Sequence, residues 1–294
     1  MKSATTLFAT AGLAALFAGT ALAQEGVMRT DAIVFATVDG QDLMLDLYTP
    51  VGVDNPPVLI WAHGGGWQRG SRDELPVVEL VQNGYAFASI DYRLAPASRF
   101  PAQIYDLKAA IRYLRGNAAE LGIDPNRIGS AGSSAGAHLA LLLGVTNGAE
   151  ELEGHVGEYD NVSSDVSMIL AYFPASDLTT ILDQSTEFGY GVRAPALEAL
   201  LGGLPEAVPE LAQLASPVYF VDAGDPPLFV LHGDRDPQMP INQSHQIEGE
   251  YERFGLPVHF EVVHGGVHGG DGFYDSDRTA KVSAFLDEYF KAAD

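Results

Sequence analysis

A short continuous apolar run at residues 58–62 is followed by similar, mostly apolar runs at 85–90, 127–130, 166–173, 228–232 and 258–263. A run apolar on both faces has no side to offer water, so it suits a strand of a parallel sheet buried between two helical layers. Helical patterns lie between the runs. The clearest places Ile104, Leu107, Ile111, Leu114, Ala118 and Leu121 on one face, with Pro101 to open the helix and Gly122 to end it. Strands alternating with helices predict an α/β fold: a mostly parallel sheet with helices on both faces. Ahead of them, residues 33–38 and 43–49 are β-prone and joined by Asp39-Gly40, a pair suited to a tight turn, which predicts an N-terminal antiparallel hairpin. One stretch, about 175–225, breaks the alternation. It is rich in Pro, Gly and Ala, has short helical candidates near 194–201 and 208–214, and reads as a small cap-like insertion in a single domain covering 24–294.

The first 23 residues differ in kind. Lys2 gives a positive start, residues 7–22 are apolar or small apart from Thr10 and Thr20, and Ala21-Leu22-Ala23 has the small-x-small form of a cleavage site. The stretch is short and alanine-rich for a membrane span. It predicts a signal peptide removed near Ala23 and a secreted or periplasmic protein with no membrane insertion. The 39 acidic against 16 basic residues, a net charge of −23, disfavour a nucleic-acid partner. Without cysteine the chain has no disulfides, thiolate metal sites or thiol nucleophile. The chemistry therefore falls to oxygen and nitrogen groups, with no cofactor expected.

Gly132-Ser133-Ser134-Ala135-Gly136 stands between an expected strand and an apolar helix. A serine at such a turn lifts its hydroxyl above the sheet, with glycines where side chains would collide, so Ser134 is the candidate nucleophile and Ser133 a turn or packing residue. A seryl oxygen needs a base, and the base needs an acid to fix its tautomer. Two loops at strand ends supply them: His232-Gly233-Asp234-Arg235-Asp236 and His264-Gly265-Gly266-Val267-His268. His268 lies far enough from its strand to reach across, whereas His264 abuts the strand and suits a structural role. Asp225, Asp234 and Asp236 remain open as the acid. His63-Gly64-Gly65-Gly66-Trp67 follows the first apolar run, and glycines there let backbone N–H groups approach an oxyanion. Gly65, Gly66 and Ala135 are the expected donors, His63 orders the loop through a hydrogen bond, and Trp67 is a candidate substrate contact.

Taken together, the segments HGGGWQRG (63–70), DYRLAP (91–96), GIDPNRI (122–128), GSSAGAH (132–138), HGDRDPQMP (232–240) and 265–269 resemble the α/β-hydrolase carboxylesterases of the hormone-sensitive-lipase type. Within that group they resemble bacterial acetyl esterases, including acetylxylan and feruloyl esterases. The resemblance implies a Ser134–His268–Asp236 triad, since the family's acid falls on the fifth residue of HGDRD. It also implies a structural ion pair or turn brace for Asp91 and Arg93 and a helix-end or packing contact for Asp106. Tyr105 stands where the family often has an acid, and Gly270 where it often has an aromatic. The implied activity is hydrolysis of short-chain esters, of a small molecule or an acetylated polysaccharide, or of aryl or feruloyl esters. An amidase, formamidase or peptidase on the same fold, and a catalytically silent binding module, are the alternatives. A metallohydrolase is weaker, because glycines separate His264 from His268 and no HExxH is present. No metal is implied, and the sequence sets no oligomeric state.

Overall fold

The computed structural model describes residues 22–24 and 26–291. The signal-peptide expectation thus falls almost wholly outside the described residues. The strands are β1 (Leu22–Gln24), β2 (Val27–Val38), β3 (Gln41–Pro50), β4 (Val58–Ala62), β5 (Ala86–Ile90), β6 (Ile128–Ser133), β7 (Ile169–Tyr172), β8 (Leu228–Gly233) and β9 (Val258–Val263). The helices are α1 (Val78–Gln82), α2 (Ala102–Gly116), α3 (Ala118–Leu121), α4 (Ala135–Gly144), α5 (Glu187–Leu201), α6 (Pro209–Leu214), α7 (Asn242–Phe254) and α8 (Ser276–Lys291).

The strands form one sheet in the order β1-β2-β3-β5-β4-β6-β7-β8-β9. Pairing is antiparallel from β1 through β3 to β5 and parallel from β5 onward. This is the α/β-hydrolase fold. Asp39 and Gly40 make the β2–β3 turn with φ of 52° and 80°, the left-handed backbone that a two-residue hairpin needs.

β4 shows why the apolar runs end up inside. Val58, Ile60 and Ala62 join a core with α2 and α4, while Leu59 and Trp61 join a second core with α1 and α8. The side-chain period of two therefore feeds both layers, and neither face meets water. The helix expected over 104–121 is interrupted at Asn117, which caps α2 and starts α3, and Gly122 ends α3 at φ 66°. Between β7 and β8 the chain forms α5, α6 and short 3-10 turns, with no strand. Ala194, Ala196, Leu197, Leu200 and Leu201 pin α5 onto the core that holds α2. Among the described residues no helix is long and apolar enough to cross a membrane.

Candidate active site

The loops that follow β4, β6, β7, β8 and β9 all leave the carboxyl edge of the parallel strands, where open α/β sheets place ligands. β6 ends at Ser133 and α4 begins at Ala135, so the turn rests on Ser134, with φ 54° and ψ −117°. A left-handed non-glycine residue costs about 1–3 kcal/mol and persists only where its surroundings enforce it. They do so here. A Cβ on Gly136 would lie 1.9 Å from the Ala62 carbonyl oxygen, and one on Gly132 would lie 2.6 Å from the Gly136 carbonyl carbon and oxygen. The Ser134 N–H donates to Tyr172 O at 2.9 Å, and the Ser134 carbonyl accepts from the His138 N–H at 3.0 Å.

His268 and Asp236 meet this serine. Asp236 Oδ1 accepts the N–H groups of Gln238 and Met239 at 2.8 and 2.9 Å, and its Oδ2 lies 2.6 Å from His268 Nδ1. Burial would raise the Asp236 carboxyl, but hydrogen bonds from His232, His268 and the Met239 backbone outweigh it and hold the group well below the usual carboxylate range. An ionised carboxylate only accepts, so Nδ1 of His268 carries the proton and donates. Nε2 is left as the acceptor, and the Ser134 hydroxyl donates to it at 2.8 Å. His268 is lowered from its ordinary value by burial first and by the nearby Arg193 charge, against the attraction of Asp236. Its resting state is thus the neutral imidazole, with Phe173 edge-on at 4.8 Å closing one side of the ring.

The other acids go elsewhere. Asp234 turns outward, pairing with the exposed His264 ring at 3.0 Å and accepting the Gly265 N–H. Asp225 precedes β8, at the opposite end of the strand, where burial raises its carboxyl to about 7. Asp91 and Arg93 are braces, but not with each other. Asp91 binds Arg72 at 2.5 Å, and Arg93 grips the fully buried Asp106 through contacts of 2.7–3.0 Å.

The glycine loop lies against Ser134: a Cβ on Gly64 would sit 3.5 Å from Ser134 Cβ. Gly65 and Gly66 have φ of 105° and 61°, and a Cβ on Gly65 would strike the Arg69 carbonyl oxygen at 2.1 Å. Ala135 opens α4, where helix geometry leaves N–H groups without an intrahelical acceptor. The His63 ring bonds the Gly64 carbonyl at 2.7 Å and stacks on Tyr92, whose hydroxyl donates to His63 O at 2.9 Å. Trp67 is not a cleft residue. Its positive φ of 60° turns the ring into the core, fully buried, where Nε1 donates to His138 Nδ1 at 3.2 Å. His138 Nε2–H in turn donates to Ala215 O at 2.6 Å, so Trp67 braces the glycine loop against the segment between β7 and β8.

These groups open onto a cleft of about 660 Å³, lined by Gly64–Gly66, Ser133, Ser134, His268, Phe173, Gln68, Arg69, Glu74 and Gln238, with Gly191, Val192, Arg193, Pro195 and Ala196 of α5 as one wall. Several of these residues carried no sequence signal. Arg193 is 3% exposed, with Nε donating to Gln238 O at 3.2 Å and Nη2 to Gln238 Oε1 at 3.3 Å. Gln238 is one of the two residues whose N–H groups hold Asp236, so α5 is tied to the Asp236 turn. His232 supports the same turn, bonding Met239 O at 3.0 Å and Ser244 Oγ at 2.7 Å.

The BD-FAE family model matches residues 45–251. Esterase LipC of Mycobacterium tuberculosis is 33% identical over 192 residues, 64% of this chain and 46% of that protein. The chain thus spans about half the length of the curated relatives it matches. Among solved structures, a truncated carbohydrate esterase from gut microbiota superposes with a TM-score of 0.80 at 29% identity, covering 92% of this chain and all of that one. The propionate-bound esterase 2 of Thermogutta terrifontis superposes at 0.71 with 26% identity, covering 90% of this chain and 94% of that one.

Proposed function

The chain belongs to the BD-FAE family, and from that premise we propose that it is a serine carboxylesterase cleaving short-chain, acetyl-type esters through an acyl-enzyme. Ser134 Oγ attacks the ester carbonyl as its proton passes to His268 Nε2, and Asp236 supports the imidazolium. The N–H groups of Gly65, Gly66 and Ala135 stabilise the oxyanion. His268 then gives its proton to the departing alcohol. Water attacks the acyl-enzyme by the same route, and the acid leaves.

The observation that carries this reading is the hydrogen-bond chain from Ser134 through His268 to Asp236, 2.8 and 2.6 Å in length. Cleft composition supports the substrate class. Phe173, Val192, Pro195 and Ala196 give a small apolar surface suited to a short acyl group, while Gln68, Arg69, Glu74 and Gln238 suit a hydroxyl-rich alcohol such as an acetylated polysaccharide, with aryl and feruloyl esters as further substrates. Residues 1–23 act as a signal peptide on this reading, and the protein works in the periplasm or outside the cell. A panel of 4-nitrophenyl acetate, butyrate and octanoate, beside acetylated xylan and methyl ferulate, tests it. Acetate is expected to lead, and Ser134→Ala is expected to abolish both turnover and labelling by a fluorophosphonate. Full activity in Ser134→Ala, or a preference for octanoate, overturns it.

A further inference from the structure

A second cavity, of about 410 Å³, adjoins the catalytic cleft. Trp61, His63, Glu74, Leu75, Pro76, Ser133 and Tyr274 line it, and it shares Ser133 and Glu74 with the cleft. It therefore begins one residue from Ser134, and its only link to the glycine loop is His63, which lines it. Its volume lies within the range of small-molecule sites, and its lining has their usual form, apolar and aromatic walls with a few convergent polar groups.

Those polar groups are specific. Glu74 is exposed and belongs to both cavities. Its carboxylate is close enough to Tyr274 to add to the rise that burial imposes on that phenol, which stays protonated at every working pH. Tyr274 thus offers a fixed O–H, Glu74 offers acceptors only, and Ser133 offers either. An anionic group would meet the Glu74 carboxylate on a protein of net charge −23. A neutral ring with hydroxyl groups meets complementary partners: its hydroxyls donate to Glu74 and accept from Tyr274, while its C–H face covers Leu75 and Pro76.

We propose that this cavity is a second subsite that binds a neutral, hydroxyl-bearing ring of the ester while the scissile carbonyl sits at Ser134, and that Glu74 and Tyr274 select for it. The proposal rests on the esterase reading above. The ring is either a sugar carrying or adjoining the ester, or a hydroxylated aryl group, and substrate comparison separates the two.

The test compares wild type, Glu74→Gln and Tyr274→Phe on acetylated xylo-oligosaccharide, methyl ferulate and 4-nitrophenyl acetate, the last having a ring with no hydroxyl. Loss of one hydrogen bond to a charged group corresponds to a change of about tenfold. The ratio of kcat/KM for the hydroxylated substrate to that for 4-nitrophenyl acetate is expected to fall about tenfold in Glu74→Gln, mainly through KM, and by a smaller factor in Tyr274→Phe. A fall confined to the oligosaccharide identifies a sugar subsite, and a fall confined to the ferulate an aryl one. Unchanged ratios on both substrates in both variants overturn the subsite while leaving the esterase intact. A wild-type protein that cleaves none of the three esters and takes no fluorophosphonate overturns the esterase reading itself.

Discussion

Replacing Asp236 by asparagine changes one atom of the site and, through it, the position of a proton. In the native turn Oδ1 accepts the N–H groups of Gln238 and Met239, while Oδ2 accepts Nδ1–H of His268. An asparagine must keep its carbonyl oxygen toward the two backbone donors, because its NH₂ would leave both buried and unpaired. The NH₂ then faces His268 and can only donate, so Nδ1 becomes the acceptor and the imidazole proton moves to Nε2. There it points at the Ser134 hydroxyl, and the ring can no longer take that hydroxyl's proton. A charge is lost as well. Two unit charges about 4 Å apart at an effective dielectric of about 20 attract by about 4 kcal/mol, which is about 10³ in rate. With the tautomer error the expected fall in kcat/KM is about 10³- to 10⁴-fold. Initial rates on 4-nitrophenyl acetate measure it, with near-UV circular dichroism to confirm unchanged packing. An Asp236→Asn protein within tenfold of wild type would refute the assignment of the acid and the proton inventory built on it.

Four further outcomes are expected. The acid limb of kcat/KM should fall below the ordinary histidine value of about 6.5, because His268 is lowered and must be neutral to act, while Asp236 stays ionised throughout that limb. Arg193→Met removes a charge that lowers His268, so the limb should move to higher pH, and a pH–rate profile that stays put or moves down counts against this. Gly136→Ala forces a Cβ to 1.9 Å from Ala62 O, and since overpacking a filled core costs about 1–3 kcal/mol, the urea midpoint should drop clearly; an unchanged midpoint would show that the turn yields. Asp225, raised to about 7 in the folded state, binds more protons than in the unfolded chain between its ordinary value and that pH, so it favours folding in acid and costs stability as pH rises. The stability advantage of Asp225→Asn over wild type should therefore widen from pH 4 to pH 8, and a constant difference in urea midpoint would contradict it.

What the sequence reveals is what is local. The apolar runs locate six of the strands; burial on both faces leaves a continuous signature in β4, β5, β7 and β8, whereas β9, at the sheet edge, is only partly buried and carries His259 and Glu261 in its run. Gly132, Ser134 and Gly136 are legible because the collision that demands the glycines occurs within one turn. The break at Asn117 is not legible, since the apolar periodicity runs through it. Spacing cannot separate Asp234 from Asp236 either. Both follow β8, and the direction each side chain takes depends on a loop more than 25 residues away, where Asp234 meets His264 and Asp236 meets His268. Trp67 misleads because an aromatic beside three glycines reads as exposed, and only its positive φ turns it inward. Arg72 and Arg193 find their partners across the fold, so no periodicity announces them.

The helix that walls the cleft also grips the turn that holds Asp236. Gly191, Val192, Pro195 and Ala196 face the space a substrate would fill, while Arg193, among them, holds Gln238. On the proposed mechanism, selectivity and proton handling are therefore inherited together. A designer who swaps this helix to admit a bulkier ester will detune the imidazole unless an arginine is kept at its place. Variants recovered from such a swap should separate by that one position into those that still turn over and those that merely bind.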